Sequence, residues 1–176
     1  MSNATTIAII GVAGKREQSI ATLFAAKYHV LLFGHDQEIL SGICHQIRSS
    51  GKATDVEAMQ CPADASWEAD IIILMGYNHA DESISKKIKR VATRKIVIVF
   101  AAGTGGELLL ATSSAWQQLL PYSRLINVLD AGAGAAGELS KQLIMESNDE
   151  DALKTGEALF TSVGFNIQTL FTAFNH

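Results

Sequence analysis

Gly11, Val12, Ala13, Gly14, Lys15 and Arg16 follow directly on an apolar run, Ile7 to Ile10, and precede Ile20, Leu23 and Phe24 at helical spacing. A glycine-rich turn between a buried strand and a helix presents backbone N–H groups and the positive end of the helix dipole to an anion. That chemistry is most often used for a dinucleotide pyrophosphate. The spacing Gly11-x-x-Gly14-x-x puts Glu17 where a third glycine would complete the pattern. A carboxylate there suits the helix dipole but repels a phosphate if it turns inward, so Glu17 can fill the anion site from within the chain.

Other turns carry the remaining chemistry. Gly34, His35 and Asp36 end a second apolar run; Asp36 is either the N-cap of the helix that follows or a ribose ligand. Met75, Gly76 and Tyr77, continued by Asn78 and His79, form a polar, aromatic and titratable group. His79 could relay a proton or, with Asn78, simply start a helix. Ala101, Ala102 and Gly103 open a second glycine-rich turn, and Gly132 to Gly137 alternate glycine with alanine in a close-approach loop. No Ser-His-Asp order or carboxylate pair points to hydrolysis. No His or Cys cluster has metal-ligand spacing, so no metal site is expected. No catalytic residue stands out.

These turns need elements to position them. Strands are expected over 7–10, 29–33, 54–59, 70–75, 95–100, 124–129, 139–145 and 165–171, with helices over 16–28, 37–50, 80–92, 107–120 and from the Asn148-Asp149 cap to Val163. Cys61 to Trp67 reads as a loop or a short turn of helix. The alternation implies an α/β domain with a doubly wound, mainly parallel sheet of about eight strands and helices on both faces. Every glycine-rich turn then falls at the carboxyl edge of the sheet, where such folds bind ligands.

The 176 residues fit a single domain, 1–176, large enough to bury a core without disulfides. A net charge of −4 argues against a nucleic-acid footprint. The basic group Lys86, Lys87, Lys89, Arg90, Arg94 and Lys95 reads as the solvated face of a helix. Cys44 and Cys61 form no CxxC pair and are expected as free thiols. With no signal segment or long apolar run visible, a cytoplasmic protein that does not engage a membrane is the expectation.

The ordered segments IAIIGVAGKRE, HVLLFGHDQE, DIIILMGYNHADESI, KIVIVFAAG, LINVLDAGAGAAG and ALKTGEALFTSVGFNIQTL resemble the compact NADP-binding fold of the deazaflavin (coenzyme F420)-dependent NADP oxidoreductases. They are also similar to the N-terminal domain of pyrroline-5-carboxylate reductases. The resemblance implies an NAD(P)-binding Rossmann-type fold and hydride transfer between NADP(H) and a flavin, a deazaflavin or another small acceptor. It places the pyrophosphate at 11–16 and cofactor selection at 34–36. There Gly34 replaces the acid that favours NAD, and His35 stands where NADP members often carry arginine. It places the nicotinamide end at Met75, Gly76, Tyr77, Ala101, Ala102 and Gly103, where this chain has alanines in place of an Asn-Pro pair. The alternative reading is a dinucleotide-binding sensor or subunit that keeps the fold without turnover. A homodimer would have to use a sheet edge or a helical face.

Overall fold

The computed structural model describes residues 5–51, 55–75, 81–100, 114–132 and 139–173. Strand β1 (Thr6–Ile10) leads into α1 (Lys15–Ala25), then β2 (His29–Phe33) and α2 (Gln37–Ser49). There follow β3 (Asp55–Ala58), α3 (Pro62–Glu68), β4 (Ile71–Leu74), α4 (Glu82–Ile88) and β5 (Ile96–Phe100). Residues 114–119 are helical and are labelled α5. Strands β6 (Arg124–Asp130) and β7 (Gln142–Ser147), helix α6 (Glu150–Ser162) and strand β8 (Asn166–Phe171) complete the order.

All eight strands form one sheet in the order β3-β2-β1-β4-β5-β6-β7-β8. The chain winds outward from β1 in one direction and resumes at β4 in the other, so the switch of direction lies between β1 and β4. Ligand crevices of open α/β sheets form at such a point. Residues at alternate positions feed two cores. Ile7, Ile9, Leu32 and Ile73 pack under Phe24, Leu40 and Phe160 of α1, α2 and α6, while Ala8, Ile10, Leu31 and Ile72 pack against Ile84, Ile88 and Trp116 on the opposite face. A strand covered on both faces has no solvent side, which is why IAII of β1, IIIL and IVIVF are apolar throughout. Each such fully buried aliphatic side chain contributes about 1.5–3 kcal/mol of transfer free energy.

The structure departs from the sequence reading at several places, among them α4, which spans Glu82–Ile88 rather than 80–92. α3 is a full helical segment with Pro62 in its first turn, a position where the missing N–H costs nothing. β7 begins at Gln142 rather than Leu139 and runs antiparallel to β6, with Asp130 opposite Leu143. Lys95 does not join the solvated basic face: its Nζ donates to the carbonyls of Ser66, Trp67 and Ala69, each at 2.7 Å, and closes the C-terminus of α3. Burial pushes its pKa down. Lys86, by contrast, stays exposed and pairs with Glu82 at 3.0 Å.

Candidate functional site at the carboxyl edge

The first turn is held by its own backbone. Gly11 and Val12 both donate to the Phe33 carbonyl, at 2.9 and 3.0 Å, fastening the end of β1 to the end of β2. Gly11 has φ +97, a conformation open to glycine. Gly34 answers the same constraint from the other strand: a Cβ there would lie 2.1 Å from the Val12 carbonyl oxygen. The absent acid at this position is therefore first a packing requirement.

At the start of α1 the Gly14 N–H donates to Glu17 Oε2 at 2.8 Å. A glutamate three residues inside a helix that reaches back to the N-cap backbone is half of a capping box. Glu17 thus places its carboxylate on an N–H that a complete glycine motif would turn to an external anion. Lys15 beside it is exposed.

Arg16 takes a different direction from the one its place in the motif suggests. Its guanidinium reaches across the edge of the sheet to Asp130 at the end of β6, with Nη2 3.9 Å from Oδ2, and stands 5.9 Å from the centre of the Phe100 ring at the end of β5. Its Nε is buried without a hydrogen-bond partner among the described residues. Asp130 also accepts from the backbone N–H groups of Gly132 at 3.1 Å and Ser140 at 3.0 Å. Burial pushes the Asp130 carboxyl up, but hydrogen bonds from Ser140 and Gly132, together with the Arg16 charge, outweigh it and hold the group below the usual carboxylate range. Gly132 is required here as well, since a Cβ would meet the Ser140 side chain at 2.1 Å. An open cleft of ≈ 1000 Å³ runs alongside, bounded by Lys15, Arg16 and Leu23 of α1 and by Leu139, Lys141 and Phe165 beyond β6. Lys141 Nζ stands 4.9 Å from the centre of the Phe165 ring.

The structure brings Gly11 to Arg16 and Gly34 to Asp36 to one stretch of the carboxyl edge. His35 is exposed there, with its ring 6.2 Å from that of Phe33. Asp36 is the N-cap of α2, accepting from Glu38 and Ile39 at 2.9 and 3.0 Å. Met75 donates its N–H to Ile10 at 2.8 Å and buries its side chain in the core, as does Val12. Gly76, Tyr77, Asn78, His79, Ala101, Ala102, Gly103 and most of the 132–137 loop lie outside the described residues. Asp130 and Ser140 were missed by sequence reasoning. An acid at the carboxyl end of a strand is a readable signal, but the sixth strand was expected to stop at Leu129. Nothing local connects Asp130 to an arginine more than a hundred positions away.

No protein-family model matches the chain, and no curated protein matches it. Solved structures do. A pyrroline-5-carboxylate reductase from Coxiella burnetii superposes with a TM-score of 0.71 at 16% identity, covering 97% of this chain and 60% of that one. The fold is of the Rossmann type. An imine reductase from Myxococcus stipitatus, solved in complex with NADP+, gives 0.68 at 13% identity over 94% of this chain and 55% of the other. A hypothetical protein, SMa0349 from Sinorhizobium meliloti, gives 0.65 at 23% identity and covers 96% and 85% of the two chains. The chain spans less than two thirds of the two named reductases. Among the described residues no helix is long and apolar enough to cross a membrane.

Proposed function

We propose that this Rossmann domain binds NADP(H) along its carboxyl edge and transfers hydride between it and a small acceptor. The observation that carries the reading is the glycine turn at the β1/β4 switch point, opening α1 with Lys15 and Arg16 in its first turn and flanked by the cleft. The turn's own donors are engaged within the chain: Gly11 and Val12 are committed to Phe33, and Gly14 is committed to Glu17. Pyrophosphate would be received at the start of α1 once the Glu17 carboxylate rotates away, with Lys15 supplying charge. His35, exposed at the end of β2, is placed to meet a 2′-phosphate, and the absence of an acid at Gly34 leaves no partner for a ribose diol.

The nicotinamide supplies the hydride when bound, and the protein has to position and exclude. Arg16, clamped by Asp130 and Phe100, fixes one wall of the cleft and carries its positive charge to it. The apolar Leu23, Leu139 and Phe165 form a surface for a flat acceptor, a flavin or deazaflavin included. A second reading is a dinucleotide-binding sensor or subunit without turnover, favoured by Glu17 lying on the Gly14 N–H.

Titration of the purified chain with NADPH and NADH by fluorescence separates these. NADPH binding tighter than NADH, with steady oxidation when a flavin is added, is the expected result. Binding without oxidation selects the sensor. No binding of either at about 1 mM, a very weak limit of affinity, refutes both. Glu17→Gly is expected to tighten NADPH binding by about tenfold, the equivalent of roughly 1.4 kcal/mol.

A further inference from the structure

His29 opens β2 and Asp55 opens β3, and the parallel register sets them side by side at the amino edge of the sheet, the end opposite the glycine turns. Glu57, two residues along β3, projects from the same face as Asp55 because side chains alternate along a strand. His29 Nε2 lies 3.2 Å from Glu57 Oε1 and 3.7 Å from Asp55 Oδ2. One ligand atom from each of the three residues lies within 4.8 Å of the other two. The second ring nitrogen, Nδ1, is 3.5 Å from Thr6 Oγ1. Nε2 is therefore the nitrogen turned towards the carboxylates.

The charge count is unbalanced. Among the described residues His29 is the sole basic group in ion-pair range of either carboxylate. Even a protonated imidazole would leave one negative charge uncompensated, whereas a neutral imidazole, two carboxylates and a divalent cation sum to zero. The spacing also suits an ion. Tetrahedral coordination with bonds of about 2.0–2.2 Å needs ligand atoms roughly 3.3–3.6 Å apart, and the two histidine–carboxylate separations bracket that range.

We propose that His29, Asp55 and Glu57 bind a divalent transition-metal ion of the zinc class. An imidazole ligand favours zinc, nickel or copper over magnesium and calcium, which take oxygen alone. Thr6 Oγ1 accepts from Nδ1–H in the metal-bound form, leaving the Nε2 lone pair for the ion and fixing the ring. The exposed carboxylates, with side chains 60% and 53% accessible, leave coordination positions for water. Bound there, the ion joins the short edge strand β3 to β2 across the sheet from the dinucleotide edge. Sequence spacing could not disclose the trio, because strand pairing rather than local sequence brings His29 to Asp55.

The test uses the full chain, freed of any affinity tag and stripped with a chelator, titrated with zinc chloride by calorimetry and followed by thermal melting. One saturable 1:1 site and a melting temperature raised by several degrees are expected, with magnesium giving neither. His29→Ala should abolish the site. Glu57→Gln, an isosteric change at an exposed position that leaves the fold intact, should weaken it by about tenfold or more. Absence of saturable binding up to about 1 mM zinc overturns the proposal. So does binding that Glu57→Gln and a folded His29→Ala leave unchanged, because the ion would then sit on other histidines or cysteines.

Discussion

The two halves of the sheet are held together by different means. From β3 to β6 the strands run parallel, and β2, β1, β4 and β5 are sealed on both faces by apolar side chains. At the β6/β7 seam the direction reverses and polar groups are buried. Asn127 Nδ2 donates to Glu146 Oε2 at 3.0 Å, Ser147 Oγ donates to the Leu125 carbonyl at 2.6 Å, and Thr172 Oγ1 donates to Glu146. Arg124 clamps Asp149 with bonds of 2.6 and 2.8 Å below the seam, and Asp130 gathers Arg16, Gly132 and Ser140 above it. Apolar burial is strong but indifferent to register, whereas a hydrogen-bonded seam specifies which residues face each other. The parallel half therefore carries most of the stability, and the seam fixes how the last two strands attach.

Substitutions can break that division. Ile73→Ala, at a fully buried position of β4, should cost about 3–4 kcal/mol in urea unfolding, because it removes aliphatic volume where both neighbouring strands prevent collapse. A cost below that of the seam changes would remove the contrast. Asp149→Ala should cost less, about 2 kcal/mol, through loss of the N-cap bond to Ala152 and of the Arg124 pair.

Asp149 also predicts an acid limit. Hydrogen bonds from Arg124 hold its carboxyl down at about 2. A carboxyl depressed in the folded state adds stability that is complete above its unfolded value, ~3.9, and is lost as pH falls through that value towards 2. With the pair partly exposed, screening limits the term to about 1–2 kcal/mol. The urea midpoint of the wild type should stay level from neutral pH down to about 5 and then drop, and Asp149→Asn should flatten part of that drop.

The smallest effect is expected where the seam is replaced as a unit. Asn127 Oδ1 is buried without a partner among the described residues, and Glu146 is 4% exposed. Changing Glu146 alone to Leu strands the Asn127 amide and should cost about 1–3 kcal/mol. Changing both to Leu should come within about 1 kcal/mol of the wild type while loosening the β6/β7 register. Hydrogen exchange of the β7 and β8 amides would report that loosening. A double variant as unstable as the single one would mean that the seam stabilises as well as specifies.

The parallel half was also the legible half. Apolar runs bounded by glycine identified β1, β2, β4 and β5 to within a residue, and Asp36, Asp81 and Asp149 stand at the N-caps of helices placed by periodicity. Of the site, the glycine turn and the capacity of Glu17 to satisfy it could be read locally, because three residues of helix set that contact. The reversal at β7 could not, since an apolar strand reads the same in either direction. Nor could the inward turn of Arg16 and Lys95: both depend on what the sheet brings opposite them, and a cationic side chain on a helix or strand end carries no local mark of its partner.

Glu17 has a kinetic and thermodynamic meaning beyond its role as a cap. A carboxylate tethered three residues from the N–H it occupies is a competitor present at constant effective concentration, in the millimolar range or above for short tethers. Free anions added at lower concentration would barely change the occupancy of that donor. A larger ligand that made further contacts along the edge, as the proposed dinucleotide would, could outcompete the tether where a lone phosphate could not. The turn would then discriminate by ligand size, rejecting small anions without any contact made for that purpose.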